Sequence, residues 1–413
     1  MKNRYFPFFF LVLILFTGPL VYMFAQSSES FVAEGEHYSV TSTVSETFSA
    51  DVLEFMEAFY GLYRSYMHFD PTERKTSMRV QIFGKKSEFD AYLRDVLGES
   101  RDSFVFLQYQ DPKKSRLVGY RGESEEQLWK SLIHHGYVQY IKTFIPGPPL
   151  WMQKGFAVYF ENCRYDWDRG EVVFRPNYGW VQSLRDKLDR DPSISDRELF
   201  IPVEQLLTID QAGALDNLGA FYSQSWALIH FLLHSEQKSY NRLLWDSISA
   251  LSPQAEQDEN ERRIISRAFE WVNKEQLLED FLAHVDGIQT FPDLVQGGIN
   301  AYEDQSYQEA VELFQRALEL RNNHYVPEYY LGLIAYQRGD YSKAEYHYLE
   351  AVDHDGMTDL LYYALGVNAY ADERRDESLY YLQQALEFKG DYGQQAQELI
   401  ARIEKERAGS EDS

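Results

Sequence analysis

Cysteine is almost absent from this sequence, since Cys163 is the only one in 413 residues. The chain can therefore form no internal disulfide, and its stability has to come from packed cores. Its length is enough for two or three domains with a core in each. A lone cysteine with apolar neighbours is more typical of a core position than of a nucleophile, so we expect Cys163 to be buried.

Positive charge is also scarce. The chain has 40 lysines and arginines against 65 aspartates and glutamates, which gives a net charge of −25. Such acidity argues against nucleic acid or anionic lipid as the main partner, because both are polyanions. The 31 tyrosines and 27 phenylalanines, in turn, argue against global disorder. These numbers predict a folded, acidic protein.

Long apolar runs are limited to residues 5–25, which follow Lys2 and Arg4. This pattern is typical of a secretory signal peptide, so we predict an exported protein, periplasmic or extracytoplasmic in a bacterial envelope. Cleavage would fall after Ala25, although Met23 fits the minus-three position poorly. The run is also about long enough to span a bilayer, so an uncleaved signal anchor is the alternative. We predict contact with a membrane only through this segment, if it stays uncleaved.

Residues 124–163 predict two successive helices. Ser124 and Gln127 form a capping-box pattern, which starts the first helix. The proline-rich stretch 145–149 ends it, because proline lacks a backbone donor and disfavours helical geometry. The second helix should follow from about Leu150.

This layout resembles the gluzincin metallopeptidases, in particular the peptidase MA-like group. In that family the first helix carries His-Glu-x-x-His, and the next helix begins Pro-x-Trp-Leu-x-Glu-Gly. The two histidines and the second glutamate bind zinc, while the first glutamate acts as general base. The preceding order of strand, long helix, strand, helix and hairpin is also similar to the family. The resemblance therefore implies an α+β metallopeptidase-like (zincin) domain over residues 32–288.

The family's chemistry is missing from these positions. His134 matches the first histidine, but His135 stands in the general-base position, Val138 in the second-ligand position and Lys154 in the third. The apolar side chain of Val138 and the ammonium group of Lys154 cannot bind a divalent cation. We therefore predict a degenerate domain with no catalytic residue, no metal and no cofactor. The alternative is an active hydrolase with an altered site, in which His134 or His135 acts with Glu161 or another carboxylate.

A second pair of histidines, His230 and His234, lies on a strongly apolar predicted helix over residues 222–234. A spacing of four is suitable for two metal ligands on one helical face. The intervening residues supply neither a base nor a third ligand. We interpret the pair as buried histidines that are satisfied by hydrogen bonds, with metal binding as the alternative.

Residues 291–408 repeat themselves with a period of 34. A glycine, two small residues and one bulky residue recur at this spacing: Gly298, Gly332 and Gly366; Ala310, Ala344 and Ser378; Ala317, Ala351 and Ala385; Phe314, Tyr348 and Leu382. This period and these residue types are the signature of tetratricopeptide (TPR) repeats. The sequence therefore predicts an all-α TPR solenoid of three repeats, followed by a capping helix.

Stacked repeats create an extended concave surface, so we predict a protein or peptide partner in the TPR groove. The alternative is a spacer that packs against the first domain or forms a homodimer. Together the two regions predict an exported, non-catalytic scaffold or adaptor. A related hypothesis is an envelope protein that is anchored by residues 5–25 and recruits an assembly through its repeats.

Overall fold

The computed structural model describes residues 29–73, 76–188, 200–354, 358–388 and 390–411. The predicted signal segment lies outside the described residues. Within the described ranges, no helix is both long enough and apolar enough to cross a membrane.

A five-stranded mixed sheet forms the base of the first region. Its strands are β1 (Phe31–Glu34), β2 (Tyr38–Ser42), β3 (Met78–Phe83), β4 (Val105–Leu107) and β5 (Arg116–Tyr120). They lie in the order β1-β2-β3-β5-β4, with the central pairs parallel and both edge strands antiparallel. The edge strands have only four and three residues, which limits the open edge available for unwanted pairing.

Helices cover both faces of this sheet. They are α1 (Glu46–Met67), α2 (Lys86–Leu97), α3 (Glu125–Phe144) and α4 (Leu150–Phe160). Helices α1 and α3 belong with Val80 and Leu117 to the main hydrophobic core. Helix α2 covers the opposite face, where Phe89 and Leu93 pack with Val118 in a separate cluster. The sheet thus separates a large core from a small one.

A helical lobe follows the sheet. It consists of a hairpin, β6 (Arg164–Asp166) and β7 (Glu171–Val173), and of α5 (Gly179–Leu188), α6 (Val203–Leu207), α7 (Gln211–Asp216), α8 (Leu218–His234), α9 (Lys238–Ala250), α10 (Gln257–Ile264), a π turn (Ile265–Phe269) and α11 (Lys274–Gly287). Helix α8 is buried along most of its length and packs against α4. A Cβ on Gly155 would lie 2.6 Å from the Ser225 carbonyl oxygen, so glycine permits this close approach.

The second region is all-α. Its helices are α12 (Phe291–Glu303), α13 (Tyr307–Leu320), α14 (Tyr325–Gln337), α15 (Tyr341–Asp353), α16 (Asp359–Ala371), α17 (Arg375–Glu387) and α18 (Gly393–Glu411). The first six helices form three sequential pairs that repeat every 34 residues, and α18 packs against α17. The predicted all-α TPR solenoid is confirmed in this region.

The glycine and the bulky residue that recur every 34 positions contact each other in every repeat. The bulky side chain of the second helix packs on the glycine of the first: Phe314 on Gly298, Tyr348 on Gly332 and Leu382 on Gly366. A Cβ on Gly298 or Gly366 would lie 2.6 Å from that side chain. Glycine is therefore required for close packing within each pair.

Arg185 of α5 connects the two regions. Its guanidinium donates to the carbonyl oxygens of Val285 at 3.0 Å and Asp286 at 2.8 Å, and also to that of Ile288. It also pairs with Asp293 of α12 at 2.8 Å. The last carbonyls of a helix have no intrahelical partner, so Arg185 satisfies the end of α11 and ties it to the first repeat.

Candidate functional site

Helices α3 and α4 bring the motif positions together below the edge of the sheet. Helix α3 begins at Glu125, where the sequence predicts it, and the Ser124 hydroxyl accepts a hydrogen bond from the Gln127 amide at 3.3 Å. The Phe104 ring, next to the edge strand β4, stacks on His135 with 6.0 Å between ring centroids. The motif histidines therefore lie under the strand that ends the sheet.

Aromatic groups of α8 and α5 lie on the other side of His134. The rings of His134 and His135 have their centroids 4.9 Å apart, and Tyr222 of α8 is 6.3 Å from His134. Tyr222 in turn stacks on Trp180 at 5.9 Å. The sequence brings these groups together from segments about 90 residues apart.

The electrostatics of this site differ from those of a cation site. Burial lowers the pKa of His135 to about 3, with a further contribution from the charge of Lys154. The pKa of His134 is also well below its ordinary value, chiefly because of burial. Burial, together with the nearby Lys142, lowers the pKa of Lys154 to about 8. At neutral pH the site thus contains two neutral imidazoles and a largely protonated amine.

These residues do not fit zinc. Val138 is buried where a second histidine would stand, and the partly buried Lys154 places a positive charge beside both rings. Across the described residues, no group of three histidine, cysteine or carboxylate side chains is arranged to hold a metal ion.

Glu161, the carboxylate of the alternative hydrolase hypothesis, lies at the end of α4. Burial raises its pKa, and its charge contributes to the raised pKa of Tyr222. In the described part of the chain it makes no hydrogen bond to His134 or His135. The structure thus places Glu161 near Tyr222 without pairing it with either motif histidine.

The second pair of histidines has a partner that the spacing alone does not reveal. His284 of α11 lies beside His230, with 2.9 Å between Nε2 and Nδ1, while His234 Nε2 is 2.7 Å from the Tyr159 hydroxyl. Burial lowers the pKa of His230 to about 3 and that of His284 to about 4. These contacts agree with histidines that are satisfied by hydrogen bonds.

A cluster of tyrosines lies on the first helices of the repeats and in the turn just before α18. We call Tyr302, Tyr329, Tyr336, Tyr363 and Tyr392 the inner-face tyrosines. Tyr363 stacks on Tyr392 at 5.4 Å, and the pKa of Tyr329 is raised by burial and by Tyr392, Tyr330 and Tyr302. Helix α12 also packs against α14, so the first helices form the inner side of the array. Tyr302 and Tyr336 are 34 residues apart, as are Tyr329 and Tyr363, so the period could have revealed these four in the sequence.

No family model and no curated protein matches this chain. Among solved structures, MamA 41-end from Desulfovibrio magneticus RS-1 is 23% identical over 37% of this chain and 95% of that chain, with a TM-score of 0.25. A second MamA structure is 15% identical over 52% and 94%, with a TM-score of 0.26. YrrB, described as a TPR protein with an unusual peptide-binding site, is 19% identical over 43% and 90%, with a TM-score of 0.26. The TPR assignment of residues 291–408 depends on the 34-residue period and on the three helix pairs.

Proposed function

We propose that this protein is a non-catalytic, exported scaffold that binds a protein or peptide partner through its TPR array. The observation that carries the proposal is the tyrosine-rich inner face. Tyrosines supply large, rigid contact area with a hydroxyl for hydrogen bonding, and they are enriched where proteins bind one another. The N-terminal domain is a degenerate metallopeptidase-like unit that supports this array.

The proposal of a non-catalytic N-terminal domain is supported by the replacing residues themselves. A metal-dependent hydrolase needs a bound cation to activate water. Val138 offers no donor atom, and Lys154 repels a cation. Loss of a general base alone typically lowers a rate by ~10²–10⁴-fold. Export is proposed from the apolar run of residues 5–25.

The inner face can be tested with a matched pair of double variants. Tyr336→Ala/Tyr363→Ala removes two inner-face tyrosines, whereas Tyr346→Ala/Tyr380→Ala removes two tyrosines of the second helices that are each 58% exposed. Each variant is expressed as full-length chain and crosslinked in its native host, and the partners are quantified by mass spectrometry. We expect the amount of one specific partner recovered with the inner-face variant to be at least about tenfold lower, because aromatic anchors that become buried at an interface dominate binding energy. Equal recovery with both variants would contradict the proposal.

The absence of catalysis is tested by elemental analysis and a peptidase assay of the wild-type protein. Zinc at one equivalent, whose removal abolishes cleavage, would refute a pseudoenzyme and favour the alternative hydrolase around His134 and His135. The triple variant His135→Glu/Val138→His/Lys154→Glu restores the family's residues. We expect it to take up zinc if the backbone keeps the family's geometry. A folded triple variant that takes up none would show that the frame itself differs.

A further inference from the structure

A deep groove lies at the junction of the two regions. It is bounded by the first half of α3, the β6–β7 hairpin, α5, the start of α12 and the end of α13, and it has a volume of about 660 Å³. We call it the junction groove. It is separate from the motif positions, because neither His134 nor Lys154 lines it. A volume of this size is typical of sites that hold a ligand.

The charge of the junction groove is opposite to that of the chain. Four basic side chains, Lys130, Arg164, Arg175 and Arg321, line it against the single carboxylate of Glu126. The chain as a whole has a net charge of −25. Lys130 pairs with Glu126 at 2.8 Å. Among the described residues, no carboxylate lies within ion-pair distance of the three arginines, so they are available to an anionic ligand.

Arg164 of β6 is paired with Val173 of β7, so Arg175, two residues beyond Val173, is its diagonal neighbour. Arg175 is partly buried, and its pKa is lowered by burial and by the charge of Arg164. Two neighbouring positive charges repel each other, and a carboxylate bound between them would relieve that repulsion. Guanidinium groups also bind carboxylates with two parallel hydrogen bonds, which makes arginine well suited to this ligand.

Aromatic rings line the same groove. Trp167, which is 45% exposed, lies 4.8 Å from Tyr165 and 5.4 Å from Trp129 between ring centroids. On the opposite side, the guanidinium of Arg321 lies over the Phe291 ring at 5.6 Å. The groove can therefore accept apolar side chains beside its cations. Amide side chains at Asn162 and Asn177 add groups that can pair with a peptide backbone.

We propose that the junction groove binds an acidic peptide segment of a partner protein, with its carboxylates on Arg164, Arg175 and Arg321 and an apolar side chain against Trp167. The proposal rests on the proposed scaffold function, and it specifies the chemistry of one segment of the partner protein that the scaffold binds. A long nucleic acid fits less well, because the acidic surface around the groove repels an extended polyanion. A short peptide can keep its charges within the groove.

The test uses isothermal titration calorimetry with full-length protein and an unlabelled ten-residue peptide of alternating glutamate and leucine. Control ligands are the same peptide with lysine in place of glutamate and a ten-nucleotide single-stranded DNA. The groove variant is Arg164→Glu/Arg175→Glu. Its matched control is Lys113→Glu/Lys114→Glu, which makes the same change in net charge on an exposed loop outside the groove. Circular dichroism checks that both variants are folded.

We expect the acidic peptide to bind the wild type, the groove variant to bind it at least about tenfold more weakly, and the loop variant to stay within about twofold. The lysine peptide should not bind, and added salt should weaken binding of the acidic peptide. No binding to the wild type, equal losses in both variants, or tighter binding of the DNA would overturn the proposal. If the inner-face variants lose a partner while the groove variant keeps it, the scaffold function stands and this inference fails.

Discussion

At the residue scale, Ser378 explains an exception within the repeats. It stands where the other two repeats have Ala310 and Ala344, and its side chain is fully buried. Its hydroxyl donates to the Gly366 carbonyl oxygen at 2.7 Å. An unpaired buried hydroxyl would cost about 1–3 kcal/mol, so this hydrogen bond makes serine acceptable at a small-residue position.

The glycine contacts of the repeats predict a difference between two substitutions of one type. Gly332→Ala should lower the free energy of unfolding by about 1–3 kcal/mol, because its methyl group would overlap the Tyr348 ring. A Cβ on Gly61, an exposed position of α1, has no neighbour within 4 Å. Gly61→Ala should therefore raise helix stability by up to about 1 kcal/mol. Urea unfolding measures both, and equal effects would contradict the assigned packing.

The buried histidines predict a dependence of stability on pH. His230 is 6% exposed, and its folded-state pKa of about 3 lies below the ordinary 6.5. The unfolded chain therefore binds a proton that the folded chain excludes. The contribution of His230 to the free energy of unfolding is fully present above about pH 6.5. It falls by up to about 1.4 kcal/mol per pH unit as the pH drops toward the folded-state pKa.

The substitution His230→Asn should reduce the slope of this dependence between pH 6.5 and 4.5 by up to about 1.4 kcal/mol per pH unit, and the other buried histidines supply the slope that remains. The control is His68→Asn, at an exposed left-handed position that asparagine tolerates. Urea unfolding at several pH values gives the slope of each variant. If both variants keep the wild-type slope, His230 is not a source of the pH dependence.

At the scale of elements, the sequence predicts where helices lie better than it predicts which residues they contact. Helix α3 begins directly after Ser124 and α4 begins at Leu150, as the capping-box pattern and the proline-rich stretch predict. The approach of His284 to His230 was not predictable, because the two lie 54 residues apart on separate helices. The same is true of the junction groove, which is assembled from several segments that are far apart in the sequence. Local patterns encode elements, whereas tertiary contacts depend on how the elements pack.

The junction between α11 and α12 depends on one side chain. Arg185→Ala should lower stability by about 2–3 kcal/mol, because it leaves Asp293 and three carbonyl oxygens without their charged donor. Arg185→Lys keeps the charge but loses the planar fork, so we expect an intermediate loss. Hydrogen exchange of residues 285–293 should accelerate in the same order. Wild-type exchange in the alanine variant would show that the junction is held by other contacts.

At the scale of the whole molecule, the TPR solenoid followed from the sequence because its period leaves a regular trace in the residues. The zincin-type relationship of the first region stays a prediction. Its motif helices lie where they were predicted, but a similar helix arrangement does not define a chemistry when the ligand positions hold a valine and a lysine. The net charge of −25 gives no hint of the positive junction groove, because composition averages over the surface.

The glycine contacts have a consequence for how such a chain can change in length. Each 34-residue unit contains both its glycine and the side chain that packs on it, so no unit borrows this contact from its neighbour. Duplication of one unit would therefore bring its own internal packing and extend the array without altering the units on either side. The molecule is built so that its reach can grow in steps of one helix pair.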